Sequence, residues 1–182
     1  VAAFKIEADG SLKKLNEQPT SGGAPCHVIT DLTGKTLFAA NYSGGSLTVV
    51  PIKPDGGLDL PLPVIQHHGS SVVKERQQTP HAHSANIDES NHILVVADLG
   101  RGQCMLYTFS PEYGIVAPLE AQPSVDLAPG AGPRHFAFHP DGKHAYVINE
   151  INSTITALAF DGINGTFRKL DTVSTLPEGG HE

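Results

Sequence analysis

Residues 130–160, GAGPRHFAFHPDGKHAYVINEINSTITALAF, decide the fold, because they are one complete copy of a unit that the chain repeats. Within them, Phe136 to Pro140 and Lys143 to Asn149 are short runs rich in apolar and aromatic residues, parted by Asp141-Gly142. Asp-Gly between two such runs signals a hairpin, since the tight turn needs a positive φ that glycine adopts without steric cost. A third run, Thr154 to Phe160, sets Ile155, Ala157 and Ala159 against Thr156, Leu158 and Phe160 and stops at Asp161-Gly162. A fourth, Phe167 to Val173, reads as an outer strand, so one unit is a four-stranded antiparallel meander.

The unit occurs twice more. An offset of 51 residues lays Ser84, Ile87, Val96, Asp98 and Phe109 on His135, Phe138, Val147, Asn149 and Phe160, and a further 57 lays His27, Asn41 and Ile52 there. Val1 to Thr20, with Phe4, Asp9-Gly10 and Leu12, match only the back half of a unit. A repeat of this length, four strands per copy and no helical periodicity, is the signature of an all-β fold, a β-propeller of four-stranded antiparallel blades. The expected division is 1–23 for the end of a preceding blade and 24–78, 79–129 and 130–182 for three blades of one partial domain. About three and a half blades do not close a ring, and an unpaired edge strand invites aggregation. The remaining blades are therefore expected outside this chain, whose sequence opens at Val1 without Met.

A formal charge of −7, with 12 basic residues scattered along the chain, excludes a nucleic-acid surface, which needs clustered Lys and Arg. The sequence has no apolar run of membrane-spanning length and no signal-peptide pattern, so a soluble, cytoplasmic protein is expected. Two cysteines, Cys26 and Cys104, without CxxC spacing, read as reduced and structural.

A hairpin sets the start of its first strand beside the end of its second. Arg134 and His135, just before the Phe136 strand, therefore meet Asn149 and Glu150, while Asp141-Gly142 lies at the opposite end. The same construction gathers Cys26, His27, Asn41 and Tyr42 in one blade, and His83, Ser84, Asp98 and Leu99 in the next. Cys26, His83 and Arg134 hold one position in three blades with three chemistries, which packing does not explain; the alternative for each singly is a strand-end cap. Asn41, Asp98 and Asn149 are read as structural, bonding to turn backbone. His81 and His83 share a face of an extended strand, but spacing offers no third ligand, so no metal is expected. His67-His68 are expected to be solvated. They lie in the long crossing LPLPVIQHHGSSVVKERQQ, residues 60–78, read as an outer strand and a surface loop of the kind that borders sites.

At GAGPRHFAFHPDGKHAYVINE and PHAHSANIDESNHILVVADLG, and again at NYSGGSLTVVPI and DGSLKKL, the sequence resembles the lactonase family of seven-bladed β-propellers, which includes bacterial 6-phosphogluconolactonases. The resemblance covers essentially the whole chain, and Gly-Pro-Arg-His-Phe followed by Val-Ile-Asn-Glu is its most specific part. It implies a ring of seven blades and hydrolysis of the sugar lactone 6-phosphoglucono-1,5-lactone, with no cofactor. The same family includes muconate-lactonizing enzymes, whose proposed catalytic groups fall on His83 (less well His81), Arg134 and Glu150. A further family arginine would lie beyond Glu182. The implied roles are His83 as general base, Arg134 on the oxyanion or an anionic substrate group, and Glu150 as orienter or proton exchanger, with His27, His81 and His135 binding substrate. Two rival readings use the same face: a cycloisomerase acting on muconates, and a non-catalytic propeller that binds a ligand or a protein.

Overall fold

Ile93–Asp98 (β8) is apolar at every position before its last, and all six residues are buried in the computed structural model, which describes residues 1–178. Alternate side chains enter two different cores. Leu94 and Val96 pack with Phe38, Leu47 and Val49 of the preceding sheet, whereas Ile93, Val95 and Ala97 pack with Phe136, Val147 and Leu158 of the following one. A strand pressed between two sheets has no solvent face to mark with polar residues, which is why its sequence runs apolar without alternation.

The described residues form fifteen strands in four antiparallel sheets, with no helix. Ala2–Ile6 (β1) and Leu12–Glu17 (β2) make a two-stranded hairpin. Pro25–Thr30 (β3), Thr36–Asn41 (β4), Ser46–Pro51 (β5) and Ile65–Gln66 (β6) follow as a meander. Ala82–Ile87 (β7), β8, Gln103–Ser110 (β9) and Ile115–Pro118 (β10) repeat it, and Ser124–Asp126 (β11) continues the outer edge of β9 past the end of β10. Pro133–Phe138 (β12), His144–Asn149 (β13), Thr154–Asp161 (β14) and Thr166–Ser174 (β15) complete the third copy. This is the four-stranded antiparallel blade that the repeat predicts. Apolar side chains sit between successive sheets, so each sheet is stabilised mainly by its neighbours. On β13 only one face is covered: Ala145 and Val147 are buried, while Tyr146 and Ile148 remain 40% and 42% exposed.

The first turns of the three meanders lie at one end and are braced by carboxylates. Asp31 accepts backbone N–H groups from Thr33, Lys35 and Thr36, and Asp88 does the same for Ser90, His92 and Ile93. Asn91 crosses between sheets, donating to Asp31 and accepting from the Leu32 N–H. Burial alone would raise the Asp31 carboxyl, but these donors bring it down to about 2. In the third meander the expected two-residue Asp-Gly turn is a longer one. His139 N–H bonds to the His144 carbonyl, and only Gly142, at φ 65°, is left-handed. Asp141 instead keeps a negative φ and caps the N–H groups of Lys143 and His144.

Candidate active site

Each inner strand carries the same irregularity. In β3, Pro25 faces Asn41 and His27 faces Ala40; in β7, Ala82 faces Asp98 and Ser84 faces Ala97; in β12, Pro133 faces Asn149 and His135 faces Ile148. One residue is left over each time, and the three are Cys26, His83 and Arg134. A bulge takes its extra residue out of the ladder and re-aims the side chain. These residues therefore sit inside their strands, not ahead of them as the hairpin reading placed them. β7 lies between β3 and β12, and the bulges meet: Cys26 Sγ is 3.3 Å from the His83 carbonyl oxygen, and Arg134 Nε donates to His83 Nε2 at 3.0 Å.

The entry into β7 is fixed by a close backbone approach. A Cβ on Gly100 would stand 1.9 Å from the Thr79 carbonyl oxygen, so only glycine lets this segment lie on the turn after β8. There the Leu99 N–H bonds to the His81 carbonyl and the His81 N–H to Asp98.

Glu150 follows β13 and stands between two guanidinium groups. Its Oε2 is 2.9 Å from Arg134 Nε, and its Oε1 accepts from Arg76 Nη2. Burial would raise the Glu150 carboxyl, but Arg76 and then Arg134 outweigh it and hold the group below the ordinary glutamate range; Glu150 in turn pushes Arg76 up. Arg76 also lies 3.5 Å from the Tyr42 hydroxyl. Tyr42 stacks on His81 at 4.6 Å between ring centroids and meets the edge of His83 at 5.4 Å. Neither Arg76 nor Tyr42 is singled out for the site by sequence. Tyr42 appears there only among the residues gathered at this end of its blade, and the length of the 60–78 crossing is the one signal that pointed toward Arg76.

His83 is nine-tenths buried. Because Nε2 accepts from Arg134, the ring proton is on Nδ1, and that buried nitrogen has no partner among the described residues. Burial lowers the His83 pKa below the usual histidine value, and the Arg134 charge pushes the same way, so the ring is neutral at pH 7. A buried donor left unpaired costs about 1–3 kcal/mol and calls for an explanation. The His135 ring stands edge-on to His83 at 5.2 Å, with His27 beyond it at 5.9 Å; burial lowers the pKa of both. His27 Nδ1 accepts the Ala85 N–H, and His81 Nδ1 donates to the Tyr42 carbonyl. His81, His83, His135, Arg134 and Glu150 thus form one contiguous group, and His27 joins it through His135. The Cys26 thiol is pushed up by burial and donates to backbone carbonyls, a capping role.

One expectation is corrected beneath this group. His67 is not solvated: it is 2% exposed, its Nδ1 lies 2.5 Å from Asp98, and Tyr107 Oη lies 2.9 Å from its Nε2. Only His68 faces solvent. The 60–78 crossing contributes an outer strand of just two residues, Ile65–Gln66 on β5, followed by a loop whose later residues border the site, as expected. Buried His67 holds its start, and buried Gln77 donates to the Leu99 carbonyl at its end. Asp98 bonds to turn backbone as expected, accepting from Arg101 N–H, while Asn41 and Asn149 use hydroxyls instead, those of Ser46 and Thr48 and of Thr154 and Thr156. Among the described residues, three ligand atoms close enough to hold a metal occur at His139, Asp141 and His144, within 4.8 Å of one another, in the exposed turn at the opposite end. No helix among the described residues is long and apolar enough to cross a membrane.

With the geometry in place, comparison with known proteins is direct. Residues 1–182 match the family described as lactonase, 7-bladed beta-propeller, and the chain belongs to that family. It is 38% identical over 179 residues to the 6-phosphogluconolactonase of Bacillus subtilis (strain 168), covering 98% of this chain and 50% of that protein. The 6-phosphogluconolactonase of Serratia proteamaculans (strain 568) is 36% identical, with 97% and 49% covered. The periplasmic gluconolactonase of Pseudomonas aeruginosa superposes with a TM-score of 0.91 at 29% identity, over 99% of this chain and 50% of that one. The chain spans about half the length of the curated relatives it matches.

Proposed function

We propose that the protein containing this chain hydrolyses a sugar lactone, 6-phosphoglucono-1,5-lactone, to the open acid, and that His83, Arg134 and Glu150 carry the reaction. Support comes from the names of the two curated relatives and, at the level of residues, from one observation: a neutral, buried imidazole bonded directly to a guanidinium whose same Nε edge also meets a carboxylate.

In this mechanism a water oxygen attacks the lactone carbonyl carbon while His83 takes its proton. A neutral imidazole suits that task near neutral pH. The carbonyl oxygen becomes an oxyanion, and Arg134 stabilises it with its outward N–H groups. The ring C–O bond then breaks, and the imidazolium of His83 returns the proton to the departing ring oxygen, giving the hydroxyl of the product. His83 Nε2 first has to be released by Arg134. The Nε–H turns to Glu150 Oε2, 2.9 Å away, as the carbonyl oxygen of the bound lactone engages the outer N–H groups of Arg134. Since its pKa is lowered, Glu150 serves as a fixed carboxylate that orients Arg134 rather than as a proton donor. His81 and His135 line the approach, with His27 behind.

The remaining blades, outside this chain, would cover the exposed face of β13 and close the ring. A cytoplasmic location fits the two free cysteines, although the Pseudomonas relative is periplasmic by name. The test is hydrolysis of freshly prepared 6-phosphoglucono-1,5-lactone by the full-length protein, corrected for spontaneous opening. His83→Gln and Arg134→Ala should each abolish most of the enzymatic rate; retention of that rate in both variants would refute the assignment.

A further inference from the structure

The guanidinium groups of Arg76 and Arg134 are engaged at one edge and open at the other. Arg134 uses Nε toward His83 and Glu150, and Arg76 uses Nη2 toward Glu150 and Tyr42. Both Nη atoms of Arg134, and Nε and Nη1 of Arg76, have no protein partner among the described residues, and the side chains are 46% and 43% exposed. One carboxylate cannot neutralise two guanidinium groups, and the neighbouring His83, His135 and His27 are held toward neutrality by burial. A net positive spot with free, planar N–H donors therefore persists on a chain of charge −7. That is the arrangement that binds a phosphate or carboxylate group.

The two arginines are not equivalent. Arg134 touches His83 and so stands at the reacting centre. Arg76 stands on the far side of Glu150, beside Tyr42 of its own blade. Nor is Arg76 needed to hold its own loop, which is anchored by His67 on Asp98, by Gln77 Nε2 on the Leu99 carbonyl, and by Gln77 with Val73 and Ser71. An exposed arginine presented by a loop that is fixed without it is free to serve a ligand.

We infer that Arg76 determines specificity for a phosphorylated substrate by binding the phosphate of the sugar lactone while Arg134 attends the carbonyl end. This rests on the lactone reading above and adds a residue and a discrimination to it.

The experiment compares kcat/KM of full-length wild type, Arg76→Ala and Arg76→Lys on 6-phosphoglucono-1,5-lactone and on unphosphorylated glucono-1,5-lactone, beside calorimetric binding of 6-phosphogluconate. Losing a charge-assisted contact predicts that Arg76→Ala weakens the phosphorylated substrate by about 10- to 100-fold, through KM. The unphosphorylated lactone should change less than about threefold, and Arg76→Lys should fall between. Equal losses on both lactones would overturn the inference, making Arg76 a support for Glu150, and no loss on either would overturn it as well. If wild type hydrolyses neither lactone, the lactone reading fails on its own. Binding of 6-phosphogluconate that Arg76→Ala weakens would then still uphold a phosphate site, and binding that the variant leaves unchanged would remove it.

Discussion

Asp98 and Glu150 stand at the same end of neighbouring sheets, and each faces nitrogen groups from elsewhere in the chain, yet they are opposite kinds of carboxylate. Asp98 is fully buried; one oxygen accepts the backbone N–H groups of His81 and Arg101, and the other meets His67. Nothing is left over, and the Tyr107 hydroxyl closes the far side of His67. Glu150 is half-buried between two guanidinium groups that keep unused donors pointing outward. A satisfied network holds a loop in place, whereas one with spare capacity can take a ligand.

Four perturbations sharpen that contrast, the largest first. His83→Ala, which removes the base beside Arg134, should lower kcat/KM about 100- to 10,000-fold without a matching loss of stability. A stable variant with near wild-type turnover would move the base elsewhere. Asp98→Ala should act on folding, costing about 3 kcal/mol because it strands His67 and two backbone donors in the interior. Asp98→Asn should cost only about 1 kcal/mol, since the amide oxygen keeps the backbone bonds and His67 can exchange tautomers. Urea unfolding of the full-length protein checks both, and equal costs would mean that His67 is not held as described. Glu150→Gln, in contrast, should leave unfolding unchanged and lower kcat/KM about tenfold through a misplaced Arg134.

The smallest effect comes from pH. A general base works in its neutral form, and burial lowers the His83 pKa below 6.5. The neutral form is then the major one at pH 6.5, and kcat/KM should fall less than about twofold between pH 7.5 and 6.5, dropping steeply only below. A midpoint above 6.5 in the pH–rate profile would contradict the buried, arginine-bonded state of this ring.

Much of the blade was legible because its signals are local. The turn glycines, the period-2 runs and the repeat offsets lie within a few residues of what they specify, and the structure has strands where those signals put them. The equivalence of Cys26, His83 and Arg134 was legible too, but not its cause. A bulge adds one residue to one strand, and nothing in Pro-Cys-His, Ala-His-Ser or Pro-Arg-His taken alone announces it.

By itself the sequence determined the meander, its copies and the end of the blade where varied chemistry collects, since strand alternation and turn residues act over short separations. The tertiary structure alone decided the fate of the 60–78 crossing, which has no periodicity to fix its faces. His67 and His68 are identical neighbours, yet one is buried against Asp98, 31 residues away, and the other meets solvent. Arg76 joins Glu150 across 74 residues. Such placements depend on which distant partner completes a buried hydrogen bond or an ion pair, and that is settled only when the sheets have packed.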